Sequence, residues 1–81
     1  MEAKEAIIRT LGAYGCSTSK QIANLTLRDF NIAVTPAKVS GILRPLIARG
    51  LAANSKDANG HTIYWLNHDY WMGYKEELDK L

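Results

Sequence analysis

The sequence predicts an α+β domain in which three helices are followed by a two-stranded hairpin and a terminal helix, all within 81 residues. Three observations carry that reading. Apolar residues recur at three- and four-residue spacing as far as residue 50, and beyond it the period changes to alternation. Start and stop chemistry suited to helices brackets each apolar stretch. Between the two alternating runs sits Asn59-Gly60, which supplies the positive φ angles a tight hairpin loop needs.

The first helix is expected over residues 1–15. Ala3, Ile7, Leu11 and Tyr14 form its apolar stripe, widened by Ala6 and Ile8, and Glu5 and Arg9 are spaced for an i,i+4 ion pair. Gly12 weakens its last turn and Gly15 stops it. Thr18-Ser19-Lys20-Gln21 reads as a capping box that opens a second helix over residues 18–29, burying Ile22, Ala23 and Leu25. Asp29 and Asn31 then suggest a turn that tucks Phe30, Ile32 and Val34 inward.

The third helix, residues 35–50, is the most informative stretch. Thr35 is a good N-cap and Pro36 suits the first helical position, where a missing N–H costs nothing. Val39, Ile42, Leu43, Leu46 and Ile47 share one apolar face, and Gly50 ends the helix in a left-handed conformation. The other face carries Ala37, Ser40, Gly41, Arg44 and Ala48, flanked by Lys38 and Pro45, with no acid among them. Lys38, Ser40 and Arg44 are expected to project together into solvent, giving a thin, cationic, low-bulk surface shaped for a DNA groove. Pro45 removes the N–H that would bond the Gly41 carbonyl. Because Gly41 adds no side chain to the crowding, a kink is expected there rather than a break.

After Gly50, residues 51–55 and 61–66 read as strands of a hairpin, with residues 56–60 as its loop. Leu51, Tyr64 and Leu66 should cover the helices. Asn67-His68-Asp69 caps a last helix over residues 68–81, striped by Tyr70, Tyr74, Leu78 and Leu81 with Trp71 alongside.

Composition narrows the function classes. A chain of 81 residues is expected to be one domain with a marginal core. No apolar run is long enough to span a membrane, and the N-terminal stretch reads as a helix rather than a signal peptide. The single cysteine, Cys16, excludes an internal disulfide and points to a reducing, cytoplasmic setting. It reads as a half-buried thiol, with a redox switch as the alternative. The overall charge of +2 is small, but residues 16–65 hold six basic residues against two acidic ones, a net +4, while residues 66–81 hold two against four, a net −2. Such clustering is the footprint of a phosphate-contacting surface. His61 and His68 have no cysteine nearby to complete a metal site. No nucleophile–base, paired-carboxylate or glycine-rich phosphate-loop constellation is present, so neither an enzyme nor a cofactor is expected.

The order of elements, with Ile22-Ala23 in helix two, Val39-Ser40, Leu43 and Leu46 in helix three, Arg49-Gly50-Leu51 and then Tyr64-Trp65-Leu66, resembles a winged helix-turn-helix domain. It is similar to small bacterial and archaeal transcription regulators of the MarR and ArsR type. The interval between the Ile22-Ala23 and Val39-Ser40 pairs is longer than in compact helix-turn-helix units, implying an extended turn or a longer second helix. The resemblance implies that helix three enters the major groove, helix two braces it, and the hairpin acts as a wing on the backbone or minor groove. Lys38, Ser40 and Arg44 would then lie in the groove, with Thr35 at the head of the helix. Arg44 would suit the two acceptors of guanine, and Ala37 and Gly41 would permit close approach. Thr18, Ser19 and Lys20 would hold a phosphate, and Lys56 and His61 would add backbone contacts from the wing. The plain alternatives are a solvated helix face for Lys38 and Arg44, a simple cap for Thr18 and a solvated loop charge for Lys56.

Tyr70, Trp71, Tyr74 and Leu78 suggest either a homodimer seam or packing on helix one of the same chain. The implied function is sequence-specific binding of double-stranded DNA by a small transcriptional regulator, cytoplasmic and associated with the nucleoid when bound. The alternatives are a winged-helix protein-interaction module and a DNA-binding part of a replication or recombination complex.

Overall fold

The computed structural model describes residues 1–79. Its elements run α1 (Ala3–Tyr14), β1 (Ser17–Thr18), α2 (Ser19–Phe30), α3 (Pro36–Ala48), β2 (Ala52–Lys56), β3 (Thr62–Leu66) and α4 (His68–Asp79). The strands form one antiparallel sheet in the order β1-β3-β2, with Tyr64 of the central strand opposite Ser17 on one side and Asn54 on the other. Four helices with this three-stranded sheet make the winged helix-turn-helix fold. Leu81, the last residue of the expected terminal stripe, lies outside the described residues.

Local chemistry explains most boundaries. At α2 the capping box is complete: the Gln21 amide donates to Thr18 Oγ1 (3.2 Å) and the Thr18 amide donates to Gln21 Oε1 (2.8 Å). α2 ends at Asn31, whose φ of 57° is left-handed, so the helix closes one residue later than expected and residues 31–35 form an extended connection to α3. At the start of α3 the Lys38 amide donates to Thr35 Oγ1 at 3.1 Å. The helix runs unbroken through Pro45. At its far end the Leu51 amide reaches the Leu46 carbonyl (2.9 Å) and the Gly50 amide the Ile47 carbonyl (3.0 Å). That pair of bonds requires the positive φ of 75° that Gly50 adopts. The chain thus leaves α3 directly into β2.

Ile7, Ile8 and Leu11 of α1, Ile22 and Ala23 of α2, Val39, Leu43 and Leu46 of α3, Ala52 and Tyr64 form the buried core. Within it Thr10 and Thr26 satisfy each other across α1 and α2, their hydroxyls 3.3 Å apart.

Four expectations are corrected. Tyr14 does not join the α1 stripe: it is 49% exposed. Its hydroxyl donates to Asp29 Oδ2 and accepts from Arg28 Nη2, both at 2.6 Å, tying the ends of α1 and α2 together on the surface. The apolar stripe outlasts the surface available to cover it, and Thr10 takes the buried place instead. Cys16 is exposed rather than half-buried. β1 had no sequence signal, because two residues cannot establish a period. Finally, the hairpin loop is shifted by one residue: Lys56 belongs to β2, and the turn is organised by Asp57, whose Oδ1 accepts from the amides of Asn59 and His61 at 2.9 Å each.

α4 is capped by Asn67, whose Oδ1 accepts from the amides of Asp69 (2.9 Å) and Tyr70 (3.3 Å). It has no buried residue. It docks through Tyr70, Trp71 and Tyr74, which are partly buried against the core. The Trp71 indole lies on Gly12 so closely that a Cβ there would overlap the ring. The glycine that weakens α1 as a helix is therefore the seat of α4.

Candidate nucleic-acid interface

The residues singled out in the sequence come from three elements that the fold brings to one side. Thr18, Ser19 and Lys20 stand at the start of α2, Ser40 in the middle of α3, and His61 at the base of the wing. All five line a single open cleft of about 640 Å³, together with Asp57 and Tyr64. Amide groups at the α2 N-terminus, the Lys20 ammonium and the hydroxyls of Thr18, Ser19, Ser40, Thr62 and Tyr64 give this cleft a donor-rich wall. Its one carboxylate, Asp57, is engaged by the wing turn. The His61 amide above all, then the Asn59 amide and the neighbouring imidazole, hold its pKa below the ordinary carboxylate value. The imidazole Nδ1 is 3.7 Å from Asp57 Oδ2.

A second, smaller cleft of about 190 Å³ lies on the other side of Ser40, lined by Arg44, Ile47, Asn54 and Tyr64 as well. Arg44 therefore faces the wing, with Asn54 of β2 beside it. Thr35, Ala37, Lys38 and Gly41 are exposed on α3 and line neither cleft. A Cβ on Gly41 would meet nothing, so that face of the helix is open. Lys56 is exposed on the wing, its Nζ donating to Thr62 Oγ1 at 2.7 Å.

The expected trio does not project together. At 3.6 residues per turn, Lys38 and Ser40 point roughly 160° apart around the helix axis. Lys38 and Arg44 are exposed, but Ser40 is half-buried, with its hydroxyl 3.2 Å from that of Tyr64. Sequence reasoning read Tyr64 as an inward apolar residue and missed its polar end; a tyrosine where phenylalanine would pack equally well was the available signal. Asn54 and the ordering role of Asp57 were missed too, since both depend on the strand register.

The terminal aromatics have cis partners. Trp71 stacks with Tyr74 at 6.2 Å and 20°, and Tyr70 meets Tyr74 at 6.0 Å and 50°. Leu78 is half-buried, while Met72 on the outer face is 48% exposed. Among the described residues no group of His, Cys, Asp and Glu could hold a metal ion, and no helix is long and apolar enough to cross a membrane.

Fold and site together define a winged-helix domain with a donor-rich face formed by α2, α3 and the hairpin. Solved structures share this fold. The chain superposes on RosR in the complex structure of hsRosR-S1 with a TM-score of 0.77, at 18% identity over 98% of this chain and 70% of that one. With F93 from STIV, a winged-helix DNA-binding protein, the TM-score is 0.76 at 20% identity, over 99% of this chain and 87% of that one. A transcriptional regulator from Clostridium thermocellum gives 0.74 at 15% identity, over 95% and 78%. No protein-family model matches the chain, and no curated protein sequence is significantly similar to it.

Proposed function

We propose that this protein binds double-stranded DNA in a sequence-specific manner and acts as a small transcriptional regulator. The observation that carries the proposal is the shared cleft, in which the start of α2, the middle of α3 and the wing converge on one donor-rich surface. Similarity of fold to a winged-helix DNA-binding protein and to a transcriptional regulator supports it.

In this reading α3 enters the major groove, Arg44 donates to a base edge, and Lys38 contacts the backbone or groove edge from the far side of the helix. Ala37 and Gly41 allow close approach, and Thr35 stands at the helix head. Thr18, Ser19 and Lys20 hold a phosphate at the α2 N-terminus, while Lys56 and His61 contact the backbone from the wing.

Two copies joined through α4 would present two such helices to a palindromic site. The absence of any fully buried residue in α4 and the exposure of Met72 favour such pairing, although Trp71 is already seated on Gly12.

Reversing charge at both exposed bases, Lys38→Glu with Arg44→Glu, tests the proposal. Gel shifts at low salt are expected to show loss of duplex binding with an unchanged melting temperature. Retention of duplex by the double variant would reject this use of α3. Light scattering on the same samples gives the mass, with twice the chain mass expected and a monomer contradicting the α4 seam.

A further inference from the structure

Ser40 and Tyr64 occupy the boundary between the two clefts, and each lines both. Tyr64 is only 8% exposed, and its backbone is held from both sides by Ser17 of β1 and Asn54 of β2. Its ring belongs to the core, so its position is fixed by packing and by the sheet ladder. Its hydroxyl meets Ser40 Oγ at 3.2 Å. Among the described residues this is the one side-chain hydrogen bond between α3 and the sheet. Ser40 lies one helical turn before Arg44, which faces the same smaller cleft.

We propose that the Ser40–Tyr64 hydroxyl pair is a latch that positions the DNA-reading face. It fixes the rotation of α3 against the central strand of the wing and so sets the direction in which Arg44 is presented. The inference rests on the DNA-binding reading above, and it makes both hydroxyls positioning groups that act as one unit. An apolar residue at position 64 would serve the core equally well; the hydroxyl matters only where the helix and the wing must hold one mutual angle.

Three variants test the latch: Tyr64→Phe, Ser40→Ala and the two combined. Each is titrated with a mixed-sequence duplex at two salt concentrations and melted thermally. Either single change is expected to weaken binding about fivefold, the size of one net hydrogen bond. The combined variant is expected to lose no more than either single one, because both remove the same bond. The salt dependence should match that of the unaltered protein, since no charge is removed. Ser40→Ala should keep its melting temperature, because alanine is the better helix former and the site is open to water. Losses that add, or wild-type affinity in Ser40→Ala, would overturn the latch while leaving the DNA reading intact. An unaltered protein that binds no duplex would overturn both.

Discussion

At the scale of single residues, the side chains that shape this surface are those with a second task. Thr18 is both the cap of α2 and a wall of the cleft, and Ser40 is both a helix-face residue and the partner of Tyr64. Asp57 is the clearest case. Its carboxylate gathers the amides of Asn59 and His61 and thereby closes the wing turn, which positions Lys56 and His61. Those bonds favour the charged form, so the carboxyl is held below its ordinary value of 3.8. A depressed acid contributes its full share of stability above the unfolded-state pKa and loses it as pH falls through the folded-state value. The wing tip is therefore expected to keep its order at neutral pH and to loosen below about pH 4. Amide NMR signals of residues 57–61, followed from pH 7 to pH 3, would show this. Shifts unchanged across that range would contradict the role given to Asp57.

At the scale of elements, the sequence was most readable where a stretch is long and periodic. α2 and α3 announce themselves through their caps, their apolar faces and the glycine after α3, because each signal is a property of neighbours in the chain. What could not be read depends on partners distant in sequence. β1 exists only because β3 lies beside it, Tyr14 turns outward to meet Arg28 and Asp29 at the end of α2, and Ser40 turns toward the wing because Tyr64 waits there. Gly12 belongs in the same class: as part of a helix it is a weakness, and only the indole of Trp71 explains it. Alanine at that position normally stabilises a helix by about 1 kcal/mol. Here Gly12→Ala is expected to displace Trp71 and lower the melting temperature instead. In a Trp71→Ala background the same change should become stabilising. Thermal melts of the four combinations would decide the matter, and a stabilising Gly12→Ala in the otherwise unaltered chain would mean that α4 does not rest on that seat.

At the scale of the whole molecule, charge and shape point the same way. Of the basic residues in the middle segment, Lys20 lines the larger cleft, Arg44 the smaller, and Lys38 and Lys56 are exposed on α3 and the wing, while Asp69, Glu76 and Asp79 line a groove along α4 with Lys75. A polyanion is expected to be drawn toward the basic cluster and repelled by the acidic groove. The most direct measurement is the affinity for duplex DNA as a function of salt. The backbone contacts proposed for Lys20, Lys38 and Lys56 predict a log–log slope of about −3 per chain, as each neutralised phosphate releases its counterion. Binding at low salt that weakens along this slope is the predicted result; no duplex binding at low salt, or an affinity indifferent to salt, would contradict it.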